Sequence, residues 1–256
     1  MSKYVLITGA SSGIGESLAK VFAENKYNLI LTARREDKLI NLQTRLEKDY
    51  GIKAVVILSD LSKVESAENL YQEIKNQNLE VEILVNNAGF GEYGDFVDLE
   101  LEKQQNMINV NIVSLMRLSH LFSTEMKERK SGKILNIAST AAFQPGPKMA
   151  VYFATKSFVL HFSQALSLEL AKYNITVTAV CPGATQSEFA KNLDENNGLF
   201  KNTKNLPTSE QVADFAFKSL MNNKNIAIHT WKYFMMCQLT RFLPKKLLAE
   251  TIYKFI

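Results

Sequence analysis

Tyr152 and Lys156 stand four residues apart in Tyr152-Phe153-Ala154-Thr155-Lys156. On a helix that spacing puts both side chains on one face, a turn apart. A phenol titrates near pH ~10 and is a poor proton donor or acceptor at neutrality. A neighbouring ammonium favours the phenolate, and a drop of about three units needs roughly 4 kcal/mol of differential stabilisation. One partly buried charge and a nearby cofactor are enough to supply it. Alone, the same pair is also what a solvated helix face carries, so its meaning depends on the rest of the chain.

A second chemical signal lies at the N-terminus. Thr8-Gly9-Ala10-Ser11-Ser12-Gly13-Ile14-Gly15 follows an apolar run directly and opens an amphipathic one. Glycines let the backbone turn tightly and approach a ligand, and the helix N-terminus behind them offers free N–H groups to a pyrophosphate. In NAD-binding sheets an acidic residue usually ends the second strand and holds the ribose 2′-hydroxyl. Here that stretch ends Thr32-Ala33-Arg34-Arg35, with no acid before Glu36. Guanidinium groups suit the 2′-phosphate of NADP through charge and forked donor geometry. Arg34 is the better placed, with Ser11 assisting, and Arg35 reads equally well as a solvated surface residue. The expected cofactor is NADP(H) rather than NAD(H).

The elements that must position these groups follow from the apolar pattern. Residues 4–8, 28–32, 54–58, 83–85, 133–137 and 175–180 are short apolar runs, with 225–228 a candidate last strand. Such runs fit parallel strands covered on both faces. Amphipathic stretches alternate with them, from Ile14 to about Asn25 and from Glu36 to Tyr50, and Thr208-Ser209-Glu210-Gln211 has the form of a capping box. This β–α alternation predicts an α/β fold with an open, doubly wound parallel sheet, the Rossmann arrangement. At 256 residues and 46% hydrophobic composition the chain is expected to form one domain. Residues 1–230 read as the cofactor-binding and catalytic body and 231–256 as a C-terminal helical extension of the same domain. The polar stretch between Ser187 and Asn205 has weak periodicity and reads as a lid or substrate loop.

Composition excludes several classes. The formal net charge of +4 is uneven: residues 222–256 hold six basic side chains against Glu250 alone, so the body lacks the basic field of a nucleic-acid binder. Cys181 and Cys237 are far apart, and His120, His161 and His229 are scattered, so neither a metal site nor a disulfide framework is expected. No signal-peptide pattern precedes the apolar run after Lys3, and no stretch is long and apolar enough to span a bilayer. The expectation is a soluble cytoplasmic protein.

With the glycine loop and the Tyr–Lys pair placed, the chain resembles the short-chain dehydrogenase/reductase family over residues 3–190, in its shorter soluble branch. Thr8 to Gly15 looks like the family's TGxxxGxG loop, with Gly9, Ser11, Ser12, Gly13, Ile14 and Gly15 as cofactor contacts. Asp60-Leu61 resembles the pair beside the adenine ring. Asn86-Asn87-Ala88-Gly89 resembles the NNAG motif that stabilises the central sheet and borders the cofactor through Asn87, Ala88 and Gly89. Asn111, Ser139, Tyr152 and Lys156 match the family's catalytic set. Pro182-Gly183 matches its nicotinamide-side PG motif. Where the family often carries a threonine five residues after that proline, this chain has Ser187, with Thr185 a second candidate for the carboxamide contact.

The resemblance implies hydride transfer between a nicotinamide and a carbonyl or alcohol. Ser139 would donate to the carbonyl oxygen and Tyr152 would deliver its proton. Lys156 would lower the tyrosine pKa and hold the ribose, and Asn111 would anchor a relay water. Ala141, Ala142, Phe143, Met149, Phe189 and the 188–205 segment are candidate substrate lining, compatible with a hydrophobic ketone or 3-oxoacyl chain and equally with ordinary core. The tail carries Trp231, Phe234, Met235, Leu239, Phe242 and Leu243 at near-helical spacing, and Pro244 opens a second helix. It reads first as a cover for the cleft or a subunit interface, and second as an amphipathic anchor on anionic membrane. The small-molecule partner is a carbonyl or alcohol, nucleic acid is not expected, and the family commonly forms homodimers and homotetramers. The alternative to an enzyme is an NADP-binding redox-sensing module acting through the tail.

Overall fold

The apolar runs become seven strands of one sheet in the computed structural model, which describes residues 3–189 and 205–255. They are β1 (Lys3–Thr8), β2 (Asn28–Thr32), β3 (Ala54–Val56), β4 (Glu80–Asn86), β5 (Gly132–Ile137), β6 (Ile175–Cys181) and β7 (Ile226–Ile228). All pairings are parallel and the order is β3-β2-β1-β4-β5-β6-β7. The order reverses between β1 and β4, and the crevice beyond the carboxyl ends of those strands is where such sheets receive a dinucleotide.

Helices cover both faces. They are α1 (Gly13–Glu24), α2 (Glu36–Tyr50), α3 (Ser66–Asn76), α4 (Leu101–Ile108), α5 (Leu115–Arg129), α6 (Ala150–Ala171), α7 (Ser209–Met221), α8 (Trp231–Leu239) and α9 (Lys245–Phe255). Strand residues alternate between two cores because successive side chains point to opposite faces. Val5 and Ile7 meet Leu18 and Phe22 of α1, Leu39 and Leu42 of α2, and Ala216 and Leu220 of α7. Tyr4 and Leu6 meet Leu70 and Ile74 of α3 and Leu118 and Phe122 of α5. The capping box at Thr208 is present, with reciprocal bonds to Gln211 starting α7.

Three features set the site's geometry. A π-helical turn, Asn109–Ser114, joins α4 to α5 without a break in the helix and buries Asn111. A short 3₁₀ turn at Thr140–Phe143 follows β5, capped by the Ser139 hydroxyl, which accepts from the Ala141 amide at 3.1 Å. The tail forms the two helices expected, but its facing differs from the stripe read in the sequence. Trp231, Phe234, Met235, Leu239 and Phe242 are exposed, while Cys237 and Thr240 are buried and Tyr233 is half-buried. Near-helical spacing of large apolar groups identified the helix; the inward face instead uses Tyr233, Cys237 and Thr240, with the Tyr233 ring against Gly183. The lid or substrate loop expected between 187 and 205 falls, from residue 190 to 204, outside the described residues. Among the described residues, no helix is long and apolar enough to cross a membrane.

Candidate active site

The strand-to-helix turn after β1 forms the floor of the cleft. Gly9 has φ +67°, and a Cβ at Gly15 would lie 2.2 Å from the Gly9 carbonyl oxygen and 2.5 Å from Asn87 Nδ2, so the turn closes only around glycine. Ser12 makes no side-chain cap, which leaves the first amides of α1 open toward the cleft. Asn87 braces the loop by donating to the Thr8 and Gly9 carbonyls at 2.9 and 3.3 Å. The Thr8 hydroxyl accepts from the Asn87 and Ala88 amides at 3.0 Å each. Asn86 turns into the sheet instead, donating to Asn136 and to Ser119, and Asn136 donates onward to Ser163. This buried ladder ties β4 to β5 and to the helices beneath.

A cleft of about 630 Å³ runs from this loop to the first turn of α6. Its wall includes Ser11, Ser12, Gly13, Ile14, Arg34, Asp60, Leu61, Ala88, Gly89, Pro182, Gly183, Thr185 and Ser187. Asp60 Oδ1 accepts from the Ser62 amide and hydroxyl, fixing the loop after β3. Thr185 donates to the Gly183 carbonyl at 2.9 Å, and Ser187 donates to that of Thr185 at 3.3 Å. Arg34 is exposed at the rim. Arg35, read as equally suited to the solvated surface, is half-buried: its Nε and Nη2 donate to Ser11 Oγ at 3.2 and 3.1 Å, and Nη2 donates to Ser12 Oγ at 2.7 Å. The sequence showed two adjacent arginines; which of them folds back depends on the strand's exit direction.

At the far end the four expected catalytic side chains come together. The Tyr152 phenol lies close enough to the Ser139 hydroxyl to feel it, and that hydroxyl also donates to the Pro182 carbonyl at 3.5 Å. Lys156 is buried, donates to the Ile137 carbonyl at 2.8 Å and lies 5.8 Å from the centre of the Tyr152 ring. A Cβ at Gly89 would sit 3.1 Å from Asn111 Oδ1 and 3.5 Å from Lys156 Nζ, so both groups crowd the same glycine. Asn111 donates to the Phe90 carbonyl and to Thr155 Oγ1, each at 3.0 Å, and accepts from the Phe90 amide at 3.1 Å. Its side chain is therefore a brace between the cleft wall and α6 as well as a neighbour of the lysine.

The electrostatics depart from the expectation that Lys156 lowers the Tyr152 pKa. Burial pushes the phenol up to about 12, against a smaller lowering from the Ser139 hydrogen bond. Burial also pulls the Lys156 ammonium down to about 8. The ammonium is turned to the Ile137 carbonyl, and burial disfavours the charged form of both groups.

The substrate end is apolar. Ala141, Met149 and Phe153 form a small cluster with Tyr93, Tyr152 and Phe189 beside it. The Phe189 and Tyr152 rings are 5.3 Å apart at 39°. Of the candidate lining, Ala141, Met149 and Phe189 border the cleft; Ala142 and Phe143 do not, and pack with Leu115, Val159 and Leu160 behind it. Phe90, Gln144 and Phe153 border it as well and had no signal in the sequence beyond their type. Tyr233 is a further unforeseen neighbour. Its hydroxyl bonds the Ala184 backbone, and a Cβ at Gly183 would fall 2.1 Å from its ring.

A nucleotide-sized cleft at the switch point of a parallel sheet, with a glycine cradle at one end and a serine–tyrosine–lysine cluster at the other, defines a dinucleotide-binding α/β oxidoreductase. The chain belongs to the short-chain dehydrogenase family, whose description matches residues 3–198. It is 30% identical to a very-long-chain 3-oxoacyl-CoA reductase of Rattus norvegicus over 265 aligned positions, covering 100% of this chain and 80% of that one. A short-chain dehydrogenase from Sphingobium yanoikuyae in complex with NADPH is 31% identical, with a TM-score of 0.83 and 94% of each chain covered. A bulky-bulky ketone specific alcohol dehydrogenase from Comamonas testosteroni is 30% identical, with a TM-score of 0.80 and 93% and 92% covered.

Proposed function

We propose that this protein interconverts a carbonyl and an alcohol with NADP(H), on a hydrophobic ketone or 3-oxoacyl substrate, as a homodimer or homotetramer. The observation that carries the reading is that Ser139, Tyr152 and buried Lys156, one turn along from the tyrosine, line one end of a cleft that begins at the glycine loop. The cradle fits a dinucleotide: Gly15 leaves room a Cβ would fill, the first amides of α1 are open, and cations gather where β2 ends.

Bound NADP(H) would supply the hydride and, when oxidised, a positive ring. Ser139 and Tyr152 both border the cleft, where their hydroxyls would meet a carbonyl oxygen that gains charge during reduction. Tyr152 carries its proton securely, at a pKa of about 12, and passes it to that oxygen. Lys156, at about 8, is close enough to neutrality to return a proton to the site, and Asn111 lies beside it across Gly89. Pro182, Gly183, Thr185 and Ser187 would face the nicotinamide, Asp60 and Leu61 the adenine, and Arg34 at the rim with Arg35, Ser11 and Ser12 behind it the 2′-phosphate. The apolar end formed by Ala141, Met149, Phe153 and Phe189 supports a hydrophobic substrate.

The test is NADPH oxidation against ketones, aldehydes and 3-oxoacyl thioesters of graded chain length. Turnover rising with apolar length is expected. Absence of turnover with all three classes, in a protein that binds NADPH, would leave the redox-sensing reading in its place.

A further inference from the structure

Glu188 sits on the segment after β6, yet its carboxylate reaches across the cleft mouth to the end of β2. Oε1 accepts from Lys38 Nζ at 2.6 Å, and Oε2 accepts from Arg35 Nη1 at 2.8 Å. The Ser12 hydroxyl also bonds it. Arg35 is spread over the same corner, with its remaining nitrogens on Ser11 and Ser12 of the glycine loop. A carboxylate thus holds two cations and a cradle hydroxyl at the place where a dinucleotide's adenosine ribose would lie. Lys38 first, then Arg35 and Ser12, keep it ionised, with the carboxyl held down to about 2.

The donor set has the composition of a phosphate site: a forked guanidinium, an ammonium and a hydroxyl at a helix N-terminus. Glu188 fills it with one negative charge and two oxygens. A 2′-phosphate brings up to two charges and three terminal oxygens to the same donors. Both anions cannot occupy the corner without severe repulsion. NAD(H), with a bare hydroxyl there, has nothing with which to displace the carboxylate.

We propose that Glu188 is a specificity-determining residue, an internal anion that occupies Arg35, Lys38 and Ser12 and that the 2′-phosphate of NADP(H) must displace. The proposal rests on the NADP(H) reading and adds a residue that opposes binding of the preferred cofactor. Glu188 sets how tightly the phosphate is held, so that it limits NADP(H) affinity and leaves that of NAD(H) alone.

Isothermal titration of the full chain with NADPH, NADH and adenosine 2′,5′-bisphosphate tests this without relying on turnover. Glu188→Gln, close in shape, should tighten NADPH and the bisphosphate about three- to tenfold, the scale of losing one exposed ion-pair competitor, and shift NADH less than about twofold. Arg35→Ala should weaken NADPH, and in that background Glu188→Gln should have a reduced effect. Weaker NADPH binding in Glu188→Gln would mean the carboxylate orients Arg35 for the phosphate, and would overturn the proposal. Unchanged NADPH affinity, or equal tightening of NADH, would overturn it too. The wild-type ratio of NADPH to NADH affinity tests the cofactor preference separately, because the shift in Glu188→Gln is read against the wild type for each ligand.

Discussion

Burial moves Tyr152 and Lys156 in opposite directions, the phenol up to about 12 and the ammonium down to about 8. Tyr152→Phe deletes the hydroxyl proposed to transfer the proton and keeps the ring against Phe189. Turnover should fall at least about a hundredfold while NADPH affinity, measured by titration, stays within a few-fold. Activity near wild type would remove Tyr152 from the chemistry. Lys156 makes a prediction of opposite sign for stability. Held below its ordinary 10.5, it binds fewer protons folded than unfolded, so its burial opposes folding below about pH 8, an opposition relieved between there and 10.5. The shift corresponds to roughly 3 kcal/mol, offset by about 1 kcal/mol for the bond to Ile137. Lys156→Met should therefore be inactive yet more stable at pH 7, with a Tm advantage that shrinks as pH rises through that window. The four candidate side chains, Asn111, Ser139, Tyr152 and Lys156, were legible from type and order, and the fold brings them to one end of the cleft. The direction of Lys156 and the embrace of Arg35 by Ser11, Ser12 and Glu188 were not, because long side chains choose partners that only the folded backbone brings near.

Among the elements, the tail helix α8 and the turn after β6 are built to fit each other. A side chain at Gly183 would strike the Tyr233 ring, so Gly183→Ala should destabilise by about 1–3 kcal/mol and blunt cofactor binding. Adding Tyr233→Ala to that variant should recover part of the loss in a thermal melt. Strict additivity of the two would disprove the contact as the cause. Strand positions were readable because buried parallel strands are continuous apolar runs, and α2 fell where its periodicity put it, at Glu36–Tyr50. The inward face of α8 was not readable. Tyr233, Cys237 and Thr240 follow helical spacing, but their types carry less apolar weight than the exposed Trp231, Phe234 and Met235 around them.

At the scale of the molecule, the alternation of strands and helices made the doubly wound sheet legible, since right-handed β–α–β connections leave few other arrangements. The position of the tail was not, because nothing in residues 231–256 specifies which surface they meet. Cys237, Leu248 and Ile252 are buried by that packing, so a chain ending at residue 230 should lose at least about 5 °C in Tm. The outward apolar side chains of α8 and α9 are flanked by Lys232, Arg241, Lys245 and Lys246. Sedimentation of the full chain should show a dimer or tetramer, and flotation with anionic vesicles should show no more binding than with neutral ones. Vesicle binding that depends on anionic lipid would instead favour the membrane reading. The π-helical turn at Asn109–Ser114 carries a last consequence, in the arithmetic of chain length. Such a turn equals an α-helix with one residue inserted, and each residue turns a helix by about 100°. Deleting one residue there would return the ladder to regular spacing while swinging Asn111 off its bonds to Phe90 and Thr155. If Asn111 serves the proposed proton relay, a gene that lost that codon would encode a tidier helix and a slower enzyme, a loss that turnover of the deletion variant would read.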